Sequence, residues 1–188
     1  LFAVLLAGAT ALLPIYARDI LQVGATGLSQ LAAAPAAGAA LTALFFSFRP
    51  LKTGVGPKMF GAVVVFGLAT IVFGFSKWMP LSLIALFIAG AADMFSVYIR
   101  QSLIQLHTPD DKRGRVAAVS LLTISASNEL GEAESGFLAA LIGPVAAVVA
   151  GGAGAIIVTL LWSRWFPEIR RAHTFDPPEA VLQKEVRT

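Results

Sequence analysis

The stretch ISASNELGEAESG, residues 124–136, sets three glutamates into a chain whose flanks are almost wholly apolar. VAAVSLLT precedes it and FLAALIGPVAAVVAGGAGAIIVTLL follows it. It is either a water-exposed loop between two membrane segments or the interior of one. That choice decides the fold.

The composition narrows the setting first. Hydrophobic residues make up 57% of the 188, charged residues only 13%, and the mean hydropathy is +0.79. Soluble domains carry about twice that share of charge. The apolar runs here persist for whole helical lengths, without the ~10-residue alternation of a transmembrane β-barrel. An all-α integral membrane protein is expected, with the lipid bilayer as its first partner. Cysteine is absent, so disulfides and thiolate metal sites are excluded. The net charge of +3 fits basic membrane-flanking loops and gives no reason to invoke nucleic acid. The chain opens at Leu1 with no basic leader, so its first apolar run does not read as a signal peptide, and the sequence reads as a fragment of a longer protein.

A bilayer crossing needs about 20 apolar residues. Six segments qualify, at roughly 1–17, 27–48, 59–76, 79–106, 114–141 and 144–166. They make one six-helix transmembrane unit over 1–171, followed by a polar, disordered cytoplasmic tail at 172–188. Eleven of the fourteen basic residues fall after the second and fourth segments or after the sixth. By the positive-inside rule those connections and the C-terminus are cytoplasmic.

Parity then answers the opening question. The cluster DDKRGR at 110–115 and the basic tail want the same side, so an even number of crossings separates them. Those crossings turn at IGP, 142–144, and residues 114–141 form one helix with Glu129 near its middle. At 100° per residue Ser125, Glu129, Glu132 and Gly136 share a face, with Asn128 at its edge and Glu134 nearly opposite. A charged carboxylate at the bilayer centre costs about 2.5–3.5 kcal/mol on insertion scales, so these groups must face protein or a polar cavity.

The fourth segment supplies company. Asp93 lies near its middle in IAGAADMFSVYIRQ, and Arg100 follows seven residues later on the same face, ~10 Å nearer the cytoplasm. Asp93 and Glu129 come to similar depth on antiparallel helices. Asp93, Arg100, Asn128, Glu129 and Glu132 are therefore the expected substrate or proton pathway, although any one of them alone could be a structural helix pair. Alanine- and glycine-rich runs in the second and sixth segments read as close-packing surfaces. Pro35 reads as a kink, and the lone His107 as a loop residue. No phosphate loop, dinucleotide fingerprint, HExxH or nucleophile elbow is present, so neither cofactor nor metal is expected.

Six helices with both ends cytoplasmic, and TPDDKRGRVAAV leading into a charged fifth helix, resemble the C-terminal half of a major facilitator superfamily transporter. NELGEAESG and LWSRWFPEIRR bring the likeness nearest to the bacterial exporter branch of enterobactin-exporter-like permeases. The resemblance implies a twelve-helix fold whose N-terminal six-helix half is missing here. It also implies a bacterial inner-membrane location, alternating access, proton-driven export of a small drug- or siderophore-like molecule, and no enzyme activity. The first and fourth segments would line the cavity. The superfamily's loop signature would fall in FRPLKTGVGPKM, which keeps Gly56 and basic residues but lacks the aspartate; Arg113, Gly114 and Arg115 carry similar character one hairpin later and are the expected gating loop. Two rival readings are a membrane-embedded enzyme using Asp93 and Glu129 as acid and base, and a scaffold subunit. The first lacks a nucleophile and the second leaves the midplane charges unexplained.

Overall fold

The computed structural model describes residues 8–49, 51, 54–106 and 108–165. Among these, every regular element is helical. α1 (Gly8–Ala11) and α2 (Leu13–Ile15) lead into a π-helical turn, Tyr16–Ile20. Five long helices and one short turn follow. α3 is Gly24–Phe48, α4 Val55–Phe75 and α5 Met79–Leu106; a 3₁₀ turn at Asp110–Lys112 precedes α6, Arg113–Ile142, and α7 is Pro144–Trp165. The expected tail and His107 lie outside the described residues.

The six expected crossings are not uniform among the described residues. Seven α-helices are present among the described residues, and four of them, α3, α4, α5 and α7, are long and apolar enough to cross a membrane. The first segment is broken rather than continuous. Pro14 lacks a backbone N–H and its ring crowds the carbonyl four residues back, so the α-helical ladder stops at Ala11 and restarts at Leu13. The π turn then closes with the Leu21 N–H donating to the Tyr16 carbonyl. Gln22 (φ 53°) and Gly24 (φ 65°) take left-handed conformations and reverse the chain into α3. α6 is long enough at thirty residues, but its two arginines and three glutamates make it more polar than the other four long helices. It nonetheless runs unbroken through Glu129 and Gly131.

Lipid offers no hydrophobic drive between helices, so close backbone contact must hold them. α5 sits between α3 and α4, α4 packs on α7, and α6 reaches the bundle through α7 and α1. Glycines make the two tightest seams. A Cβ at Gly90 would fall on the backbone of Pro35, and one at Gly38 on that of Phe87, so α3 and α5 touch backbone to backbone. A Cβ at Gly67 would lie 2.7 Å from the Gly152 carbonyl, and one at Gly152 2.8 Å from the Gly67 carbonyl, a reciprocal contact between α4 and α7. α3 stays helical through Pro35, whose backbone lies against Gly90.

The largest buried cluster gathers Leu12, Tyr16, Leu31, Phe73, Leu86 and Val148 at the end where α4 finishes and α5 begins. Tyr16 is fully buried there, stacked on Phe73 at 4.5 Å, and its hydroxyl donates to the Gly74 carbonyl at 2.9 Å. Arg49, Lys58, Lys112, Arg113, Arg115 and Arg164 cluster at the opposite, basic end.

Candidate functional site

A cavity of about 390 Å³ opens between the first segment, α3, α4, α5 and α6. Its lining follows helical periodicity. On α5 the spacing Leu86, Ala89, Asp93, Val97, Arg100 is one continuous face, and on α6 the spacing Ile124, Asn128, Glu132 is another. Phe66 and Thr70, four apart, come from α4, and Thr10 from the first segment. Small side chains make the space: Ala9, Ala89 and Gly90 leave room that larger residues would fill.

Depth can be counted from the shared cluster, to which Leu86 of α5 and Leu138 of α6 both contribute. Asp93 lies seven residues inward along α5 and Glu132 six inward along α6, about 10 Å and 9 Å at 1.5 Å per residue. The two carboxylates thus stand at similar depth on two different helices that line the cavity. Asn128 is one turn nearer the basic end, Arg100 two turns beyond Asp93, and Thr70 lies toward the opposite end, near where α4 finishes at Phe75. The cavity is a slot along the helices, with acids at its middle and a guanidinium at its basic end.

None of these groups is used up by internal pairing. Asp93 is half-buried and Glu132 exposed at the open side, and neither forms an ion pair or hydrogen bond with a described residue. The Arg100 Nε–H is buried without an acceptor. The Thr70 hydroxyl is likewise buried without a partner, although the residue is only 4% exposed. Buried polar groups are ordinarily satisfied. Other threonines here obey that rule: Thr123 and Thr159 donate to carbonyls four residues back, and Thr42 donates to Ala91 across the α3–α5 seam.

A family model described as Major Facilitator Superfamily matches residues 1–188. The chain belongs to the major facilitator superfamily. It is therefore a multi-pass membrane protein of a transporter family, and its cavity is read in that light. No curated protein and no solved structure matches the chain.

Within this superfamily member the residues singled out from the sequence divide cleanly. Asp93, Arg100, Asn128 and Glu132 come together in the cavity lining. Glu129 does not; it is exposed and lies outside the lining, about 100° round α6 from Asn128. The face that meets the cavity is Ile124–Asn128–Glu132, rotated from the Ser125–Glu129 face read in the sequence. Glu134 is also exposed and outside it. Arg113 begins α6 and pairs with Asp110 at 2.7 Å, while Gly114 has open space beside it and Arg115 is exposed. Sequence reasoning missed Thr70. Its one signal is a lone hydroxyl in FGLATIVFG, on the same stripe as Phe66 and Phe73 that α4 buries. No group of three metal-ligating side chains occurs among the described residues.

Proposed function

We propose that the chain is the C-terminal six-helix half of a proton-coupled exporter of small organic molecules, of the drug or siderophore class. It works by alternating access in a bacterial inner membrane, with its C-terminus cytoplasmic. The observation that carries this reading is the slot lined by Asp93 and Glu132 from two helices, neither in an ion pair, with Arg100 further along it. Unpaired ionisable groups inside a membrane bundle are expensive and are kept where a substrate or proton meets them. On this reading the first segment, α1 and α2 with the π turn, and α6 complete six crossings, and 1–171 forms one half-domain. The open side of α6, where only Gly131 of thirty residues is buried, awaits the N-terminal half. Asp93 exchanges the coupling proton; Glu132 and Asn128 complete the polar wall, and Glu129 lies outside it on the exposed side of α6. Arg113, Gly114 and Arg115, at the basic end, gate the cytoplasmic side.

Proton release from acidified everted vesicles tests the reading. Vesicles bearing the full-length protein, loaded with a quenched pH-sensitive dye, are challenged with a panel of cationic, neutral and anionic small molecules. At least one compound is expected to dequench the dye, and only while a gradient is maintained. No response across the panel contradicts proton-coupled export.

A further inference from the structure

The side of α5 turned away from the cavity carries a second hollow, an open furrow of about 360 Å³. Phe87, Ala91 and Phe95 form its floor, and Ala91 and Phe95 stand ~160° round the helix from Asp93. Thr42 of α3 makes one wall, and Lys58 and Val65 of α4 make the other. The Thr42 hydroxyl already donates to the Ala91 carbonyl at 3.3 Å, so it adds no unmet polar group to the trough. Val65 and Ile88 are shared with a further apolar furrow that runs on between α4 and α5 to Val72 and Leu81. From Lys58 to Val72 the path is ~21 Å along α4. One leaflet's share of the hydrocarbon core is about 15 Å, so the trough is long enough for the tail of one lipid.

Apolar walls alone would take any tail. Charge at one end makes the trough selective. Lys58 is the charged residue of the lining, and its stem lies back over the left-handed turn at Gly54. A Cβ at Gly54 would meet the Lys58 Cε at 3.3 Å and its Nζ at 3.6 Å. The ammonium thus reaches toward the basic end, as a lysine does when its stem lies in hydrocarbon and its head at the level of the headgroups. Arg49, exposed just past the end of α3, stands at the same end of the opposite wall.

We propose that this furrow is a binding site for one anionic phospholipid from the leaflet on the basic side. Its phosphate meets the Lys58 ammonium, with Arg49 adding positive charge, and one acyl chain lies on Phe87, Ala91 and Phe95 between α3 and α4. Basic groups at the membrane surface attract anionic headgroups. A zwitterionic lipid carries its own cation beside the phosphate and gains less from Lys58. Because the furrow and the Asp93 face lie on opposite sides of α5, the site stands whether or not the cavity transports protons.

The test is native mass spectrometry of purified, delipidated full-length protein titrated with dioleoyl phosphatidylglycerol or dioleoyl phosphatidylcholine. The first phosphatidylglycerol is expected to bind about fivefold more tightly than the first phosphatidylcholine, the preference one cation near the membrane surface supplies. Lys58→Gln should bring that ratio close to one, and Lys58→Arg should keep it. Ala62→Phe, which fills the furrow from the α4 wall, should weaken the first phosphatidylglycerol at least fivefold with the charge intact. Lys112→Gln, at the basic end but outside the lining, should leave the ratio at its wild-type value. Equal affinity of the wild-type protein for the two lipids overturns the proposal. So does a wild-type ratio in Lys58→Gln, or an equal loss in Lys112→Gln, which would mark a general attraction to the basic end. Wild-type phosphatidylglycerol binding by Ala62→Phe refutes the seat of the acyl chain.

Discussion

Replacing Gly90 by alanine adds one methyl group at the tightest point of the bundle. In a helix interior alanine is favoured over glycine by about 0.5–1 kcal/mol, so on propensity alone the change stabilises. The packing works against it. The new Cβ would land on the Pro35 backbone, and backbone cannot rotate away as a side chain can. Overpacking of this kind costs about 1–3 kcal/mol, and the rigid partner places it at the upper end, for a net loss of about 1–2 kcal/mol. Gly61, on the exposed side of α4, has nothing within 4 Å of its Cβ position, so Gly61→Ala keeps the propensity gain alone. The two variants should differ by about 2 kcal/mol, roughly thirtyfold in the folding equilibrium. Detergent-titration unfolding of the full-length protein in mixed micelles, followed by tryptophan fluorescence, measures the difference. Because Gly90 and Pro35 also line the slot, Gly90→Ala should weaken ligand retention as α3 is pushed away from α5. Equal stability of Gly90→Ala and Gly61→Ala would refute the backbone seam.

The chain has no cysteine, which makes topology directly measurable. Cysteines at Gln22 and Lys77 should react with an impermeant thiol reagent added outside cells, and one at Lys112 should not; the reverse pattern overturns the assigned orientation. Glu132→Gln should reduce proton-coupled exchange at least tenfold, while Glu129→Gln and Glu134→Gln, outside the lining, should each reduce it less than threefold; comparable losses in all three sink the cavity assignment. Tyr16→Phe removes a buried hydrogen bond to the Gly74 carbonyl and should cost about 1 kcal/mol in the same unfolding assay, and an unchanged midpoint contradicts that bond.

Much of the membrane architecture was legible because lipid imposes a simple rule: apolar runs of helical length, with basic residues between them. The apolar run predicts a helix at 79–106, and α5 spans Met79–Leu106. The Asp93–Arg100 face was legible too, since seven residues make nearly two whole turns and need no knowledge of neighbours. The phase of α6 was not. Ser125, Asn128, Glu129 and Glu132 spread polar groups over a wide arc, so sequence cannot say which edge of the arc meets the cavity; contact with α1 and α7 decides it, and places Asn128 and Glu132 inward. The small residues announced close packing without naming partners, because the matching of Gly67 to Gly152 and Gly90 to Pro35 depends on the register between helices. Pro14 carried the break in the first segment, but a proline in an apolar run reads equally well as a kink. Thr70 was hidden because a membrane-helix threonine is ordinarily silent, bonded to its own backbone; only its missing partner makes it informative.

Asp93 is proposed to exchange the coupling proton inside the slot. Asp93→Asn tests it most directly, since asparagine keeps the shape and hydrogen-bonding capacity of the side chain and removes only its titratable proton. The measurement is substrate-induced proton release from acidified everted vesicles, using a compound to which the wild-type protein responds. It is normalised to membrane-inserted protein. Asp93→Asn is expected to insert at the wild-type level and give no proton release, while Glu134→Gln responds as wild type does. Wild-type proton release from Asp93→Asn, or its loss in Glu134→Gln alone, would contradict it.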